Sequence, residues 1–168
     1  MGWVNWMMVG VFAVLPLSLT FAQLESERLL SGLAEVRVTV EHFHPDVERK
    51  GVLRVKLLSD IEHRLQQAGI HVMTEDEWQE TPGKPLLYVS IDVEPLDSFP
   101  VYSVLIRLQL RQHSCLTRNL IICGTTITWE DVGAMQVMSV ARLSSLPDDV
   151  GLRVDRFINA YQTDNANQ

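Results

Sequence analysis

The sequence predicts a two-layer α+β domain of element order β-α-β-β-β-β-α. An antiparallel or mixed sheet carries two helices packed on one face. Three observations lead there. Apolar residues alternate with polar ones at Val36-Val38-Val40, at Leu87-Val89-Ile91-Val93 and at Val104-Ile106-Leu108-Leu110, the period of half-buried strands. Leu53, Leu57, Ile61 and Leu65 recur every four residues, and Val150, Val154, Phe157, Ile158 and Tyr161 follow a second helical stripe. Each strand then has one apolar face and each helix one apolar stripe, which stacking the two layers buries together.

The elements follow in order. Residues 1–22 read as a signal peptide. An apolar run from Val4 to Phe21 contains Pro16, and Thr20-Phe21-Ala22 sets small residues before Gln23. The run is also close to the roughly 20 residues of a membrane span, so an uncleaved anchor is the competing reading. Either way the expected location is periplasmic or secreted, with membrane contact only through a retained leader. Residues 23–162 are expected to form one domain, and 163–168 a disordered polar tail.

Within that domain, Gln23 to Ser31 suggests a short helical turn closed by Gly32. After the first strand, Asp46 is the expected N-cap of a helix to Ala68, regular only beyond Gly51, with Gly69 as its stop. Ile70, Val72 and Met73 make a short second strand. Glu75 to Pro85 reads as a polar loop with a Pro-Gly turn. The third and fourth strands form an antiparallel hairpin, and a fifth runs from Ile121 to about Trp129. Ser144 to Asp149 gathers cap, early-proline and acidic first-turn signals for the closing helix.

Formal charge of −7 and a pI near 5.1 argue against nucleic acid, whose phosphates need clustered Lys and Arg. No G-x-S-x-G elbow, H-E-x-x-H pair or Gly-rich phosphate loop occurs in the sequence. The expectation is a non-catalytic protein without cofactor.

Candidate sites are few. Cys115 and Cys123 flank the link between the fourth and fifth strands. A hairpin centred on Asn119 places them opposite one another, and an oxidising compartment would join them. His42, His44 and Asp46 offer metal ligands: on an extended chain the two imidazoles point the same way. The same parity lines them up with Val36, Val38 and Val40, where they would instead finish the apolar face. Tyr88 and Asp92 on the third strand, with Arg107, Gln109 and Arg111 on the fourth, form a candidate partner-binding face. A solvated face held by cross-strand Arg–Asp pairs is the alternative. Trp78, among Glu75, Asp76, Glu77 and Glu80, suggests a contact site, whereas Trp129 suits a core or sheet-edge position.

The order of elements from Leu33 to Tyr161 resembles two small envelope domains, those of the LPS-assembly lipoprotein LptE and of the TolB N-terminus. Unlike the former, this chain has no cysteine at the end of its leader. Thr128-Trp129 on a late strand, with Val154-Asp155-Arg156-Phe157-Ile158-Asn159 on the last helix, is also similar to small secreted bacterial proteins. The resemblance implies an envelope location and a non-catalytic role in binding or assembly, with a protein of the envelope as partner. A small ligand- or metal-binding protein using His42 and His44 is the second expectation.

Overall fold

The computed structural model describes residues 28–49, 51–96 and 99–166. The expected leader, and the part of the expected first turn before Arg28, lie outside the described residues. The architecture is α+β, a mixed six-stranded sheet with its two long helices on one face. No helix among the described residues is long and apolar enough to cross a membrane.

Strand β1 (Glu35–Val40) buries Val36, Val38 and Val40 and leaves the alternate residues half-covered. The helix expected from Asp46 comes in two pieces, α1 (Pro45–Arg49) and α2 (Arg54–Gln67). Pro45 takes the first helical position, so Asp46 lies inside the first turn rather than capping it. At Gly51 the chain turns with φ of 86°, a conformation closed to most residues, and α2 restarts after Leu53. Leu53 is therefore exposed at the restart, and the buried stripe is Leu57, Ile61 and Leu65. Helix α2 ends in a Schellman motif: Ile70 N–H donates to the Leu65 carbonyl and Gly69 N–H to that of Gln66, 3.0 Å each.

Strand β2 (His71–Val72) then pairs parallel to β1. Residues expected as loop form helix α3 (Glu75–Glu80) instead. Its cause is a capping box. Thr74 Oγ1 accepts from Glu77 N–H, while the Glu77 carboxylate accepts from the Thr74 amide at 2.7 Å and its hydroxyl at 2.9 Å. These bonds, the amide's foremost, hold the Glu77 carboxyl below its usual pKa. A carboxyl whose pKa is lower folded than unfolded contributes fully above the ordinary glutamate range, and loses that contribution as pH falls through the lowered value. We expect α3 to fray in acid while the sheet stays intact, with Glu77→Ala frayed already at neutral pH. Amide chemical shifts of Thr74 and Glu77 followed from pH 7 to pH 3 check this; shifts that do not move would contradict it.

Strand β3 (Leu86–Pro95) lies parallel to β1 and antiparallel to β4 (Val101–Leu116). Strand β5 (Asn119–Val132) runs back along β4, and β6 (Gln136–Ser139) continues on the same flank. The sheet order is β2-β1-β3-β4-β5, with β6 end-on to β5 beside β4. A 3-10 turn (Val140–Ser145) leads into α4 (Leu146–Asn165). That helix passes Thr163, where a disordered tail is expected. The Asp164 carboxylate accepts from Leu30 N–H (3.0 Å), Asn165 Oδ1 from Gly32 N–H (2.9 Å), and Asn165 Nδ2 donates to the Leu30 carbonyl (2.9 Å). These bonds tie the last helical turn to the start of the described chain.

The core lies between the sheet and the pair α2 and α4. Leu57, Ile61, Leu65, Val150, Val154 and Phe157 meet Val36, Val38, Leu87, Val89, Ile106, Leu108 and Leu110 in one buried cluster. Trp129 completes it, edge-on to Phe157 with ring centroids 5.1 Å apart. Beyond Trp129 the helix-facing side of β5 turns polar. Arg153 donates to Asp131 at 3.0 Å, and Arg156 reaches the same carboxylate at 3.1 Å.

Candidate docking surfaces

The far face of the sheet brings the five expected residues together. Tyr88 and Gln109 are register partners across β3 and β4. The Arg107 guanidinium pairs with Asp92. The Arg111 guanidinium stacks over the Tyr88 ring, 3.5 Å from its centroid, and donates twice to Gln109 Oε1, at 2.7 and 3.1 Å. Gln109 Nε2 continues to Glu130 on β5, and the Glu41 carboxylate lies near the Tyr88 hydroxyl beyond β1. Burial, then the Glu41 carboxylate, push the Tyr88 phenol above its usual pKa, with Arg111 opposing. Tyr88 therefore keeps its proton through the physiological range. The result is a polar ladder from β1 to β5 whose members satisfy one another. Gln109 is only 7% exposed beneath it, and Ser90 is buried as well. A partner binding here would have to displace internal pairs, and each displacement costs what those pairs contribute.

That face is not uniformly wet, as the sequence led us to expect. Val132 and Ile127 on β5 and Val137 on β6 are exposed upon it. The cause is a β-bulge. Leu110 pairs with Trp129 but Arg111 pairs with Ile127, leaving Thr128 as the extra residue. One inserted residue reverses the alternation, so Trp129 faces the core while Ile127 faces away from it.

Past the bulge the sheet narrows. Strand β3 accompanies β4 as far as Arg111, whereas β5 follows it to Leu116. Residues 112–126 thus form a two-stranded arm, and no residue from Arg111 to Val132 is buried. Its base rests on the loop before β3, where His113 N–H donates to the Gly83 carbonyl at 2.6 Å. Beyond that point two strands stand without a third, an arrangement of marginal stability in water. Cys115 and Cys123 face each other across the arm and are joined in a disulfide. The turn itself is Thr117-Arg118, one residue short of the expected centre at Asn119.

Closing so short a loop contributes roughly 2–3 kcal/mol on the chain-entropy model. Because the arm shares nothing with the core, that contribution should be local. In Cys115→Ser/Cys123→Ser we expect the unfolding midpoint of the body to stay within a few degrees of the parent, while amides of 114–126 exchange faster by about tenfold or more. Calorimetry with amide exchange reads both; a large fall in the body's midpoint would show the arm to be part of the cooperative unit.

The histidines do not finish the apolar face of β1. Strand β1 ends at Val40, and Phe43 takes the next core position, so His42 is exposed and His44 half-buried. With Glu41, Asp92 and Glu94 they line a shallow depression. The Asp46 side chain lies outside the described ones. Among the described residues, the group of three side chains close enough to hold a metal is His113, Cys115 and Cys123, whose sulfurs are bonded to each other. Trp78 is half-buried on α3, its ring flanked by Arg37 at 5.1 Å and Lys84 at 5.5 Å. Its indole N–H is buried without a hydrogen-bond partner. The contact surface expected of Trp78 is thus largely taken up by this chain's own cations.

A scan against protein-family models finds no match, and no curated protein matches the chain.

Proposed function

We propose that the protein is a non-catalytic binding or assembly module of the cell envelope, periplasmic or secreted, that takes a protein partner by strand addition along β5. One observation carries this reading: β5 is a 14-residue strand with β4 on one side and no described strand on the other. Natural sheets shorten, charge or cover such an edge because its free N–H and C=O groups recruit other chains. Here the stretch Gly124 to Trp129 on that edge carries no charge and is rich in Thr, a composition that suits pairing with an incoming strand. The Tyr88-Asp92-Arg107-Gln109-Arg111 face supports it by setting the rigid platform from which the edge projects. The leader-like first 22 residues and the disulfide support export.

Site-specific photo-cross-linking in intact cells tests the reading. A photoreactive residue at Thr125, on the edge, is expected to give one adduct of discrete mass, and the same residue at Glu62, on α2, none. Equal adducts from both, or an adduct from Leu105 on the sheet face without one from Thr125, would overturn the edge as the docking surface.

A further inference from the structure

The tip of the arm carries aliphatic surface that strand addition does not explain. Cys115 pairs with Cys123, yet Leu116 pairs with Asn119, so Leu120, Ile121 and Ile122 are three extra residues looped out of register. Ile121 is 91% exposed and Leu120 71%, with Ile122 and Leu116 exposed beside them. Single exposed aliphatics are ordinary, but four clustered on one projecting tip mark a place of contact. The cluster is convex and stands clear of the body, so its complement is a flat, yielding apolar phase rather than a fitted groove.

Charge points to the nature of that phase. The whole chain has 21 acidic side chains, yet none lies between Phe99 and Trp129, a stretch that carries Arg107, Arg111 and Arg118. Arg118 sits in the turn itself, next to the aliphatic cluster. A negatively charged surface would repel the acidic body and attract the arm, presenting the molecule tip-first. An arginine there can lay its stem along the apolar residues and keep its guanidinium among phosphates. The disulfide keeps the looped-out residues gathered, which lowers the ordering cost of insertion.

We propose that the arm's tip, Leu116, Leu120, Ile121 and Ile122 with Arg118, inserts into the headgroup and upper acyl region of an anionic lipid bilayer. Insertion stays shallow because the looped-out segment has backbone groups that need water or headgroups as partners. This site is separate from the edge at Gly124 to Val132, so lipid at the tip leaves the edge open for a partner strand.

The test uses the full protein as isolated from the producing cell, disulfide intact, with vesicles of phosphatidylcholine alone or mixed with phosphatidylglycerol. A tryptophan placed at the tip, Ile121→Trp, reports locally whatever the N-terminal segment does. Its added emission is expected to shift blue and to be quenched by brominated acyl chains in the anionic vesicles. Ile121→Glu and Arg118→Glu are expected to lower the partition coefficient by about tenfold and several-fold respectively. Neither should perturb folding, since both side chains are exposed. An unshifted, unquenched Ile121→Trp, or an Ile121→Glu protein binding like the parent, overturns the proposal. So does a parent dimer that Ile121→Glu converts to monomer, which would make a second copy the occupant. Cross-linking from Thr125 that survives in Ile121→Glu would leave the edge reading standing whatever the lipid result.

Discussion

Truncating Phe157 to Ala is expected to lower stability by about 4 kcal/mol, the largest effect of any single side chain in the core. Phe157 is fully buried on the inner face of α4 and is the largest side chain so enclosed. It joins three parts of the molecule: its own helix, the sheet beneath, and Trp129 on β5, which it meets at 72° between ring planes. Removing the ring forfeits its transfer free energy, the edge-to-face contact and the packing around a cavity that two layers cannot readily close. Phe157→Leu fills part of that space and should cost roughly half as much. Ile158→Ala, one position around the same helix and only partly buried, should cost less still. Urea unfolding of the three variants gives the comparison as midpoints at constant slope. Equal losses at 157 and 158 would mean that the inner face of α4 has been misplaced.

Asp131→Asn is expected to cost about 3 kcal/mol, because it strips the anion from a nearly buried cation. The Arg153 side chain is 9% exposed and that of Asp131 14%, so water screens the pair poorly. Arg156, mostly exposed, reaches the same carboxylate and adds little by itself. If the loss comes from stranding Arg153, then adding Arg153→Met to Asp131→Asn should restore part of it, and a double-mutant cycle will show strong coupling. Purely additive losses would count against that account. Gly133→Ala approaches the same pair from another side. A Cβ there would run into the Arg153 guanidinium and lie 3.3 Å from the Ile106 carbonyl oxygen. The guanidinium must shift to admit it, and its Nη2 moves more readily than the Nη1 that holds Asp131. A smaller loss, about 1–2 kcal/mol, is therefore expected from a single added methyl group.

Much of the architecture could be read from periodicity because periodicity records burial. Leu87-Val89-Ile91-Val93 and Val104-Ile106-Leu108-Leu110 occur as the inner faces of paired strands, and Leu57-Ile61-Leu65 and Val150-Val154-Phe157 as the stripes above them. Cys115 and Cys123 were expected to oppose each other about a turn at Asn119; they do pair, although the turn lies at Thr117-Arg118 and the looped-out Leu120 to Ile122 make up the register. Features set by a single residue or by remote contacts were not. Gly51 marked where the helix becomes regular but not that α1 stands apart from α2, and Thr74 with Glu77 makes a helix of a stretch whose composition suggests loop. Strand β6 buries only Met138 and leaves no alternation to detect.

The candidate sites follow the same division. Strand parity grouped Tyr88, Asp92, Arg107, Gln109 and Arg111, and the structure brings them together. That Arg111 would lie across Tyr88 and, with Glu130, cover Gln109 depends on a neighbour 21 or more residues away. Asp131 and Arg153 are 22 apart, with no local rule to join them. The bulge at Thr128 and the looped-out Leu120 to Ile122 are register events, decided by which hydrogen bonds close across the hairpin. Leu120 to Ile122 have the composition of a buried strand. Only the pairing shows them exposed.

The open edge of β5 is what the functional reading stands on, and amide hydrogen exchange on the isolated, oxidised protein addresses it residue by residue. From Gly124 to Val132 two interleaved classes of amide are expected. Amides bonded to β4 should be protected, and those directed away from it should exchange near the rate of unstructured chain, with one interruption of the alternation at Thr128. Uniform protection along the strand would contradict it, for it would mean that something already covers the edge on which a partner is supposed to dock.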